Sequence, residues 1–311
     1  MTRAFVFPGQ GSQAVGMGAV LADAFPAARE VFQEVDEALG QNLSKLMRDG
    51  PMEELTLTAN TQPALMAHSI AAMRVLEAEA GADISNAMFV AGHSLGEYSA
   101  LCAARAISLA DTARLLRIRG EAMQAAVPVG EGAMAALIGV DLEAAQKAID
   151  AAEGDGVCEI ANDNAPGQVV ISGDKTRVEA VCANAKAFGI KMAKLLPVSA
   201  PFHSSLMQPA AERMRAALAE TKINAPATTL VANVTAKDVA NPTSIRDLLV
   251  KQVTGRVRWT ESVQHMVDEG CESFVEVGSG KVLSGLIKRI ARDAATLNVG
   301  EPGDIDAFAK A

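Results

Sequence analysis

Ser94 stands at the centre of Gly92-His93-Ser94-Leu95-Gly96, a Gly-x-Ser-x-Gly pentapeptide. A serine hydroxyl is a weak nucleophile at neutral pH and works only when a base takes its proton. His68, His93, His203 and His265 are the four histidines of the chain. His93 lies inside the pentapeptide, where its side chain is expected to point away from Ser94. His265 falls on a helix of surface-like composition. His203, in Val198-Ser199-Ala200-Pro201-Phe202-His203, lies in a loop that would return the chain to a cleft and is the candidate base. The residue after such a serine supplies a backbone N–H to a developing oxyanion, here that of Leu95. Arg119 is the remaining chemically suggestive residue. It lies four residues from both Leu115 and Met123 and so falls on their apolar helix stripe. A guanidinium there must find an anion or carry a large desolvation cost. The anion could be a substrate carboxylate or a protein one, unless the long side chain snorkels to solvent.

The elements around Ser94 are those that could aim it. Ala87–Ala91 is an apolar run of strand character, and Glu97–Ala104 reads as a helix. Strand, Gly-x-Ser-x-Gly, helix is the context of a nucleophile elbow, in which a sharp turn pushes the serine into an open cleft at a helix N-terminus. Ala4–Phe7 reads as a first strand running into Pro8-Gly9-Gln10-Gly11-Ser12-Gln13. Ala14 breaks the dinucleotide fingerprint there, which leaves a loop that must approach a ligand closely. Thr61–Ala80 is expected to be an amphipathic helix, and Leu109–Ala126 another, with Asp111 in its first turn.

From Gly132 the pattern changes. Gly132–Val140 reads as a strand, Leu142–Ala151 as a helix, Val157–Ala161 as a strand. Asn162–Gly167 is dense in turn residues, Gln168–Ser172 reads as a strand, Lys175–Phe188 as a helix and Ile190–Leu196 as a strand. That β-α-β-β-α-β order is the order of a ferredoxin-like unit. Pro128-Val129-Gly130 and Pro197 bracket it. The expected organisation is a discontinuous core, residues 1–127 and 199–311, with an insert subdomain at 128–198. After the insert, helices at Met207–Glu220, Ser244–Lys251, Trp259–Glu269 and Val282–Arg292 alternate with strands at Thr228–Val234 and Ser273–Val277. Such alternation implies a mostly parallel sheet covered on both faces.

The chain has 311 residues, half of them hydrophobic and 21% charged, which supports a substantial core and excludes a disordered chain. A net charge of −9 argues against nucleic-acid binding. Cys102, Cys158, Cys182 and Cys271 are scattered, and no His-x-x-x-His pair occurs, so no metal is expected and the thiols read as those of a reduced, cytoplasmic protein. The apolar N-terminal stretch is too short for a signal peptide and Pro8 ends it; no run approaches a membrane span. Without an evident exposed apolar helix or coiled-coil repeat, a monomer is expected.

FVFPGQGSQ (5–13), NTQPAL (60–65), GHSLGEYSAL (92–101), RGEAMQ (119–124), NDNAPGQVVISG (162–173), LPVSAPFHSSLM (196–207), WTESV (259–263) and VEVGSGKVLSGL (275–286) together resemble the malonyl-CoA:acyl carrier protein transacylases of type II fatty acid synthesis. The stretches span nearly the whole chain in the family's order. The resemblance implies an α/β-hydrolase-like core with a ferredoxin-like insert. It implies transfer of malonyl from malonyl-CoA to the phosphopantetheine thiol of acyl carrier protein through a malonyl-Ser94 intermediate, with His203 as base and no cofactor. It also implies a main-chain carbonyl near Gln252 orienting His203, although the residues alone leave a carboxylate open. The second oxyanion donor would be the Gln10 N–H, and Arg119 would bind the malonyl carboxylate. Phe202 would exclude branched acyl groups, and Gln62 and Asn162 would line the pocket. An acidic carrier would dock on a local basic cluster, for which Lys191, Lys194, Lys281, Lys288 and Arg289 are candidates. The rival readings are an acyltransferase of a polyketide pathway, a serine esterase or thioesterase, and a carrier-binding subunit without activity.

Overall fold

The structure is a computed structural model describing residues 2–198 and 200–310. Ser199, the expected first residue of the returning core segment, lies outside the described residues, as do the chain ends Met1 and Ala311. The described residues form eleven strands: β1 (Arg3–Phe7), β2 (Phe89–Gly92), β3 (Gly132–Ile138), β4 (Cys158–Ala165), β5 (Gln168–Asp174), β6 (Met192–Leu195), β7 (Thr229–Ala232), β8 (Lys237–Val239), β9 (Val257–Arg258), β10 (Ser273–Val277) and β11 (Ala295–Val299). They make two sheets of different character.

The first sheet has the order β11-β10-β1-β2-β7-β8 and is parallel except for its edge strand β8. Ala4, Val6, Phe89, Ala91 and Phe274 join one apolar cluster and Phe5, Phe7, Val90 and Val275 the other, so both faces are covered, as a parallel sheet requires. β1 lies at the middle of the sheet with β2 on one side and β10 on the other. The loops leaving the carboxyl ends of β1, β2 and β7 therefore emerge on one edge, which is where open α/β sheets bind ligands. Gln10, Ser94 and Asn233 all follow those three ends.

The second sheet has the order β6-β3-β5-β4, antiparallel throughout, extended by a two-residue parallel pairing of β9 with β4. Taken in chain order with its two helices, this is the ferredoxin-like insert. Its strands alternate by residue, as the pleat dictates. Ala135, Leu137, Val169 and Ile171 pack under the insert's own helices, whereas Met134 and Val170 point the other way and join the main core.

Three expectations are corrected. The helix expected to be amphipathic runs Thr58–Ala80 and is buried on nearly all sides. It is wedged against the helices Pro26–Leu39 and Leu109–Ala125, so its Ala-rich sides let neighbours approach closely instead of meeting water. Asn162–Ala165 belongs to β4 and not to a turn. Register shifts at Ile160/Asn162 and Asp163/Ala165 mark bulges, which absorb the residues that read as turn formers and re-aim their side chains, leaving Pro166-Gly167 to reverse the chain. The last insert strand is four residues long, Met192–Leu195, shorter than the expected Ile190–Leu196.

Candidate active site

Local crowding builds the elbow. A Cβ on Gly92 would lie 1.9 Å from the Gly96 carbonyl carbon, and one on Gly96 would lie 2.2 Å from the Phe7 carbonyl oxygen. Strand β2, the helix Gly96–Ala103 and the end of β1 therefore meet only because both positions lack side chains. Ser94 takes φ 53°, a left-handed conformation that costs a non-glycine residue about 1 kcal/mol or more, held here by the turn. Asn233 clamps the turn from β7: its Oδ1 accepts the Ser94 N–H at 2.8 Å and its Nδ2 donates to the Gly92 carbonyl at 2.7 Å.

His203 also has positive φ, at 56°, and is buried. Its Nε2 lies 2.7 Å from Ser94 Oγ. Its Nδ1 lies 3.0 Å from both the Gln252 and the Gly255 carbonyl oxygens. Carbonyls only accept, so Nδ1 carries the proton and Nε2 presents a lone pair to the serine. The alternative left open by the residues, an orienting carboxylate, is not what the structure contains. Burial pushes the imidazole down to about 3, and the nearby Arg119 cation and His93 add to the effect. The histidine is therefore neutral across the physiological range, the state a general base needs.

Arg119 is 1% exposed, so it does not snorkel. Its Nη1 donates to Gln62 Oε1 at 2.8 Å, and its Nη2 donates to Gln252 Oε1 at 2.8 Å and to Ser94 Oγ at 3.2 Å. All three partners, two amides and a hydroxyl, are neutral, and no ion pair to it occurs among the described residues. A buried cation without a counter-ion is an anion site waiting for its anion. Its buried Nε–H has no protein partner among the described residues.

A cavity of about 520 Å³ opens onto this cluster. Ser94, Leu95, His203, Arg119, Gln10, Gln62, Asn162 and Phe202 all line it; Gln252 does not, acting from behind. The N–H groups of Gln10 and Leu95 have no protein acceptor among the described residues and are free to hold a ligand oxygen. The Gln10 side chain is pinned by a hydrogen bond from Thr58 Oγ1 at 3.1 Å. His93 turns from the serine towards the insert, with Nε2 2.8 Å from Asn164 Oδ1 and its ring against Trp259. None of Lys191, Lys194, Lys281, Lys288 and Arg289 lines the cavity. Lys191 packs over Gly139, and Arg289 donates to Pro166 O and Gln168 Oε1, so these two flank adjoining turns at one end of the insert.

Reasoning from the sequence missed Asn233, Asn164 and Glu97. Asn233 and Asn164 sit where a strand was expected to end or a turn to form, and an asparagine there reads as a turn residue. Glu97 reads as an acidic first-turn residue of a helix, favourable on the dipole alone. It is in fact buried, with Oε2 accepting from Gln252 Nε2 at 2.9 Å and from the Asn233 N–H at 3.1 Å. Burial pushes its carboxyl up to about 7 against the pull of Gln252, Asn233 and Arg119.

Fold and site together define an α/β enzyme of the serine acyl-transfer class. The acyl transferase domain family model matches residues 4–299. The chain is 49% identical over 300 residues to the malonyl CoA-acyl carrier protein transacylase of Escherichia coli K12, covering 96% of each. It is 46% identical over 304 residues to that of Bacillus subtilis 168, covering 97% of this chain and 95% of the relative. The solved acyl-carrier-protein-S-malonyltransferase of Bartonella henselae superposes with a TM-score of 0.97 at 54% identity, over 100% of this chain and 99% of that one. The chain belongs to the acyl transferase domain family, in its malonyl-CoA:acyl carrier protein transacylase branch.

Proposed function

We propose that this enzyme transfers the malonyl group of malonyl-CoA to the phosphopantetheine thiol of acyl carrier protein, supplying fatty acid biosynthesis. The observation that carries the proposal is a buried arginine, with no ion pair among the described residues, 3.2 Å from a serine oxygen that is itself 2.7 Å from a neutral histidine. An esterase has no use for such a cation, whereas a malonyl group ends in a carboxylate that Arg119 pairs with in bidentate fashion. An acetyl group leaves the arginine unpaired and is rejected for that reason.

Ser94 Oγ gives its proton to His203 Nε2 and attacks the thioester carbonyl carbon. The oxyanion that forms accepts from the Gln10 and Leu95 N–H groups, each worth roughly 2.7–4 kcal/mol of barrier. The C–S bond breaks, and coenzyme A leaves as its thiol with the proton from His203. The carrier thiol then returns a proton to His203 and takes the malonyl group by the reverse steps. The Gln252 and Gly255 carbonyls hold the imidazolium while it lasts. Gln62 steadies Arg119, Asn162 offers the acyl chain a polar contact, and Phe202 narrows the space beside it against a branch methyl. The reaction needs no metal or cofactor beyond its thioester substrate.

Lys191, Lys194, Lys281, Lys288 and Arg289 form the carrier-docking face, and residues 128–198 act as the unit that carries part of it. The enzyme works as a cytoplasmic monomer, a reading that fits four free cysteines. Among the described residues no helix is long and apolar enough to cross a membrane. The deciding experiment is intact-protein mass after brief exposure to malonyl-CoA or acetyl-CoA. A malonyl adduct from malonyl-CoA alone supports the proposal; free malonate without adduct makes the protein a hydrolase. Reversing the five docking charges should slow transfer to the carrier and leave loading unchanged; unchanged transfer removes that face.

A further inference from the structure

Gln252 is the junction of the site. Its amide has two ends with opposite roles: Nε2 donates to Glu97 Oε2 at 2.9 Å and to the Ser94 carbonyl at 2.8 Å, and Oε1 accepts from Arg119 Nη2 at 2.8 Å. Its own main-chain carbonyl accepts from His203 Nδ1. An amide can be turned over by half a rotation, and only its partners decide which end faces where. Arg119 can only donate, and a carboxylate can only accept. With the Glu97 and Ser94 acceptors at one end and Arg119 at the other, one orientation satisfies every neighbour and the other sets donor against donor. Glu97 also accepts the Asn233 backbone N–H, and Asn233 clamps the Ser94 turn.

Glu97 makes no ion pair among the described residues, although it is buried beneath a buried arginine. A neutral amide stands between the two charges. The carboxylate thus helps offset the burial of the guanidinium without occupying the N–H groups that a ligand would use. Direct pairing of the two would quench the anion site.

We propose that Glu97 is a positioning residue for acyl selection, fixing the Gln252 amide so that Arg119 is aimed at the acyl carboxylate. The inference rests on the malonyl-transfer reading of the site. Replacing the carboxylate by an amide of the same shape weakens the bias: the Ser94 carbonyl and Arg119 still favour the native orientation, but an amide at 97 can turn either a donor or an acceptor to Gln252 and carries no charge.

The test is Glu97→Gln, with malonyl-CoA and acetyl-CoA offered together to one preparation and the two Ser94 adducts resolved by mass. Loss of folded protein lowers both adducts and cancels in their ratio. The expected result is a malonyl-to-acetyl ratio reduced about tenfold, equivalent to ~1.4 kcal/mol. The loss should appear in KM for malonyl-CoA more than in kcat, since orientation of the bound acyl end is what fails. Glu97→Asp keeps the acceptor on a shorter arm and should fall between. A ratio within twofold of the wild type in Glu97→Gln overturns the inference, even where total loading falls. Wild-type protein that takes no malonyl from malonyl-CoA instead overturns the function reading, and this inference with it.

Discussion

The two walls of the cleft are built on different principles. The floor is backbone: the ends of β1, β2 and β7, crowded to the point where Gly92 and Gly96 admit no side chain, with the polar groups of Ser94, Asn233, Gln252 and Glu97 bonded to one another. The wall facing it is made of insert side chains, Met134, Val170, Asn162 and Asn164, with Leu196, Pro197 and Val198 beyond them. A backbone floor has nowhere to relax, so groups fixed to it hold their positions to a fraction of an ångström. A side-chain wall on an antiparallel sheet can repack rotamers and tolerate changes of volume. The comparison teaches that reaction geometry lives on the parallel sheet and that the insert shapes access to it.

That division can be broken experimentally. Ser94→Ala should abolish the acyl adduct and slow transfer by about 10⁴-fold or more, measured by intact mass and thiol release; an adduct persisting elsewhere would move the chemistry off the floor. Arg119→Ala should cost roughly 10²–10³ in kcat/KM for malonyl-CoA while leaving acetyl-CoA little changed, the loss of a buried charged partner being worth about 3–4 kcal/mol. Equal losses for both acyl groups would assign Arg119 to the fold. Gly92→Ala forces a Cβ against the Gly96 backbone and should destabilise the protein by about 3 kcal/mol or more in a urea titration; a change under about 0.5 kcal/mol would show that the floor can relax after all. Val170→Ala, on the insert wall, should lower kcat/KM by less than about threefold and lower stability by about 1 kcal/mol. A hundredfold loss there would give the insert a place in the chemistry.

The smallest effect concerns acid. The His203 imidazole is held low in the folded protein, so between pH 6.5 and about 3 the unfolded chain binds a proton that the folded protein does not. Its contribution to stability is complete above pH 6.5 and is lost as pH falls through that window. His203→Gln should therefore make unfolding free energy less sensitive to pH between 6.5 and 5 than in the wild type. A steeper dependence in the variant would mean that the imidazole is charged in the folded state.

Much of this was legible in the residues. The Gly-x-Ser-x-Gly between an apolar run and a helix located the turn, because close backbone packing demands glycine at those two positions. Alternation of strand and helix patterns gave the parallel sheet, and the β-α-β-β-α-β order gave the insert. The placement of Asn162 on a bulged strand was not legible, since asparagine favours turns locally and only pairing with β5 and β9 holds it extended. Nor was the burial of Thr58–Ala80, because an Ala-rich helix carries little periodicity to say how many sides are covered.

The sequence by itself determined which residues could do chemistry, since a nucleophile, a base and a cation are properties of side-chain type and local spacing. It determined the elbow as well, a contact between residues four apart. Only the tertiary structure decided that His203 Nδ1 faces two carbonyls, that Arg119 meets two amides, and that Glu97 accepts from the Gln252 side chain behind them. Those contacts join residues up to 155 positions apart. No local propensity encodes them; they follow from which parallel strands end side by side.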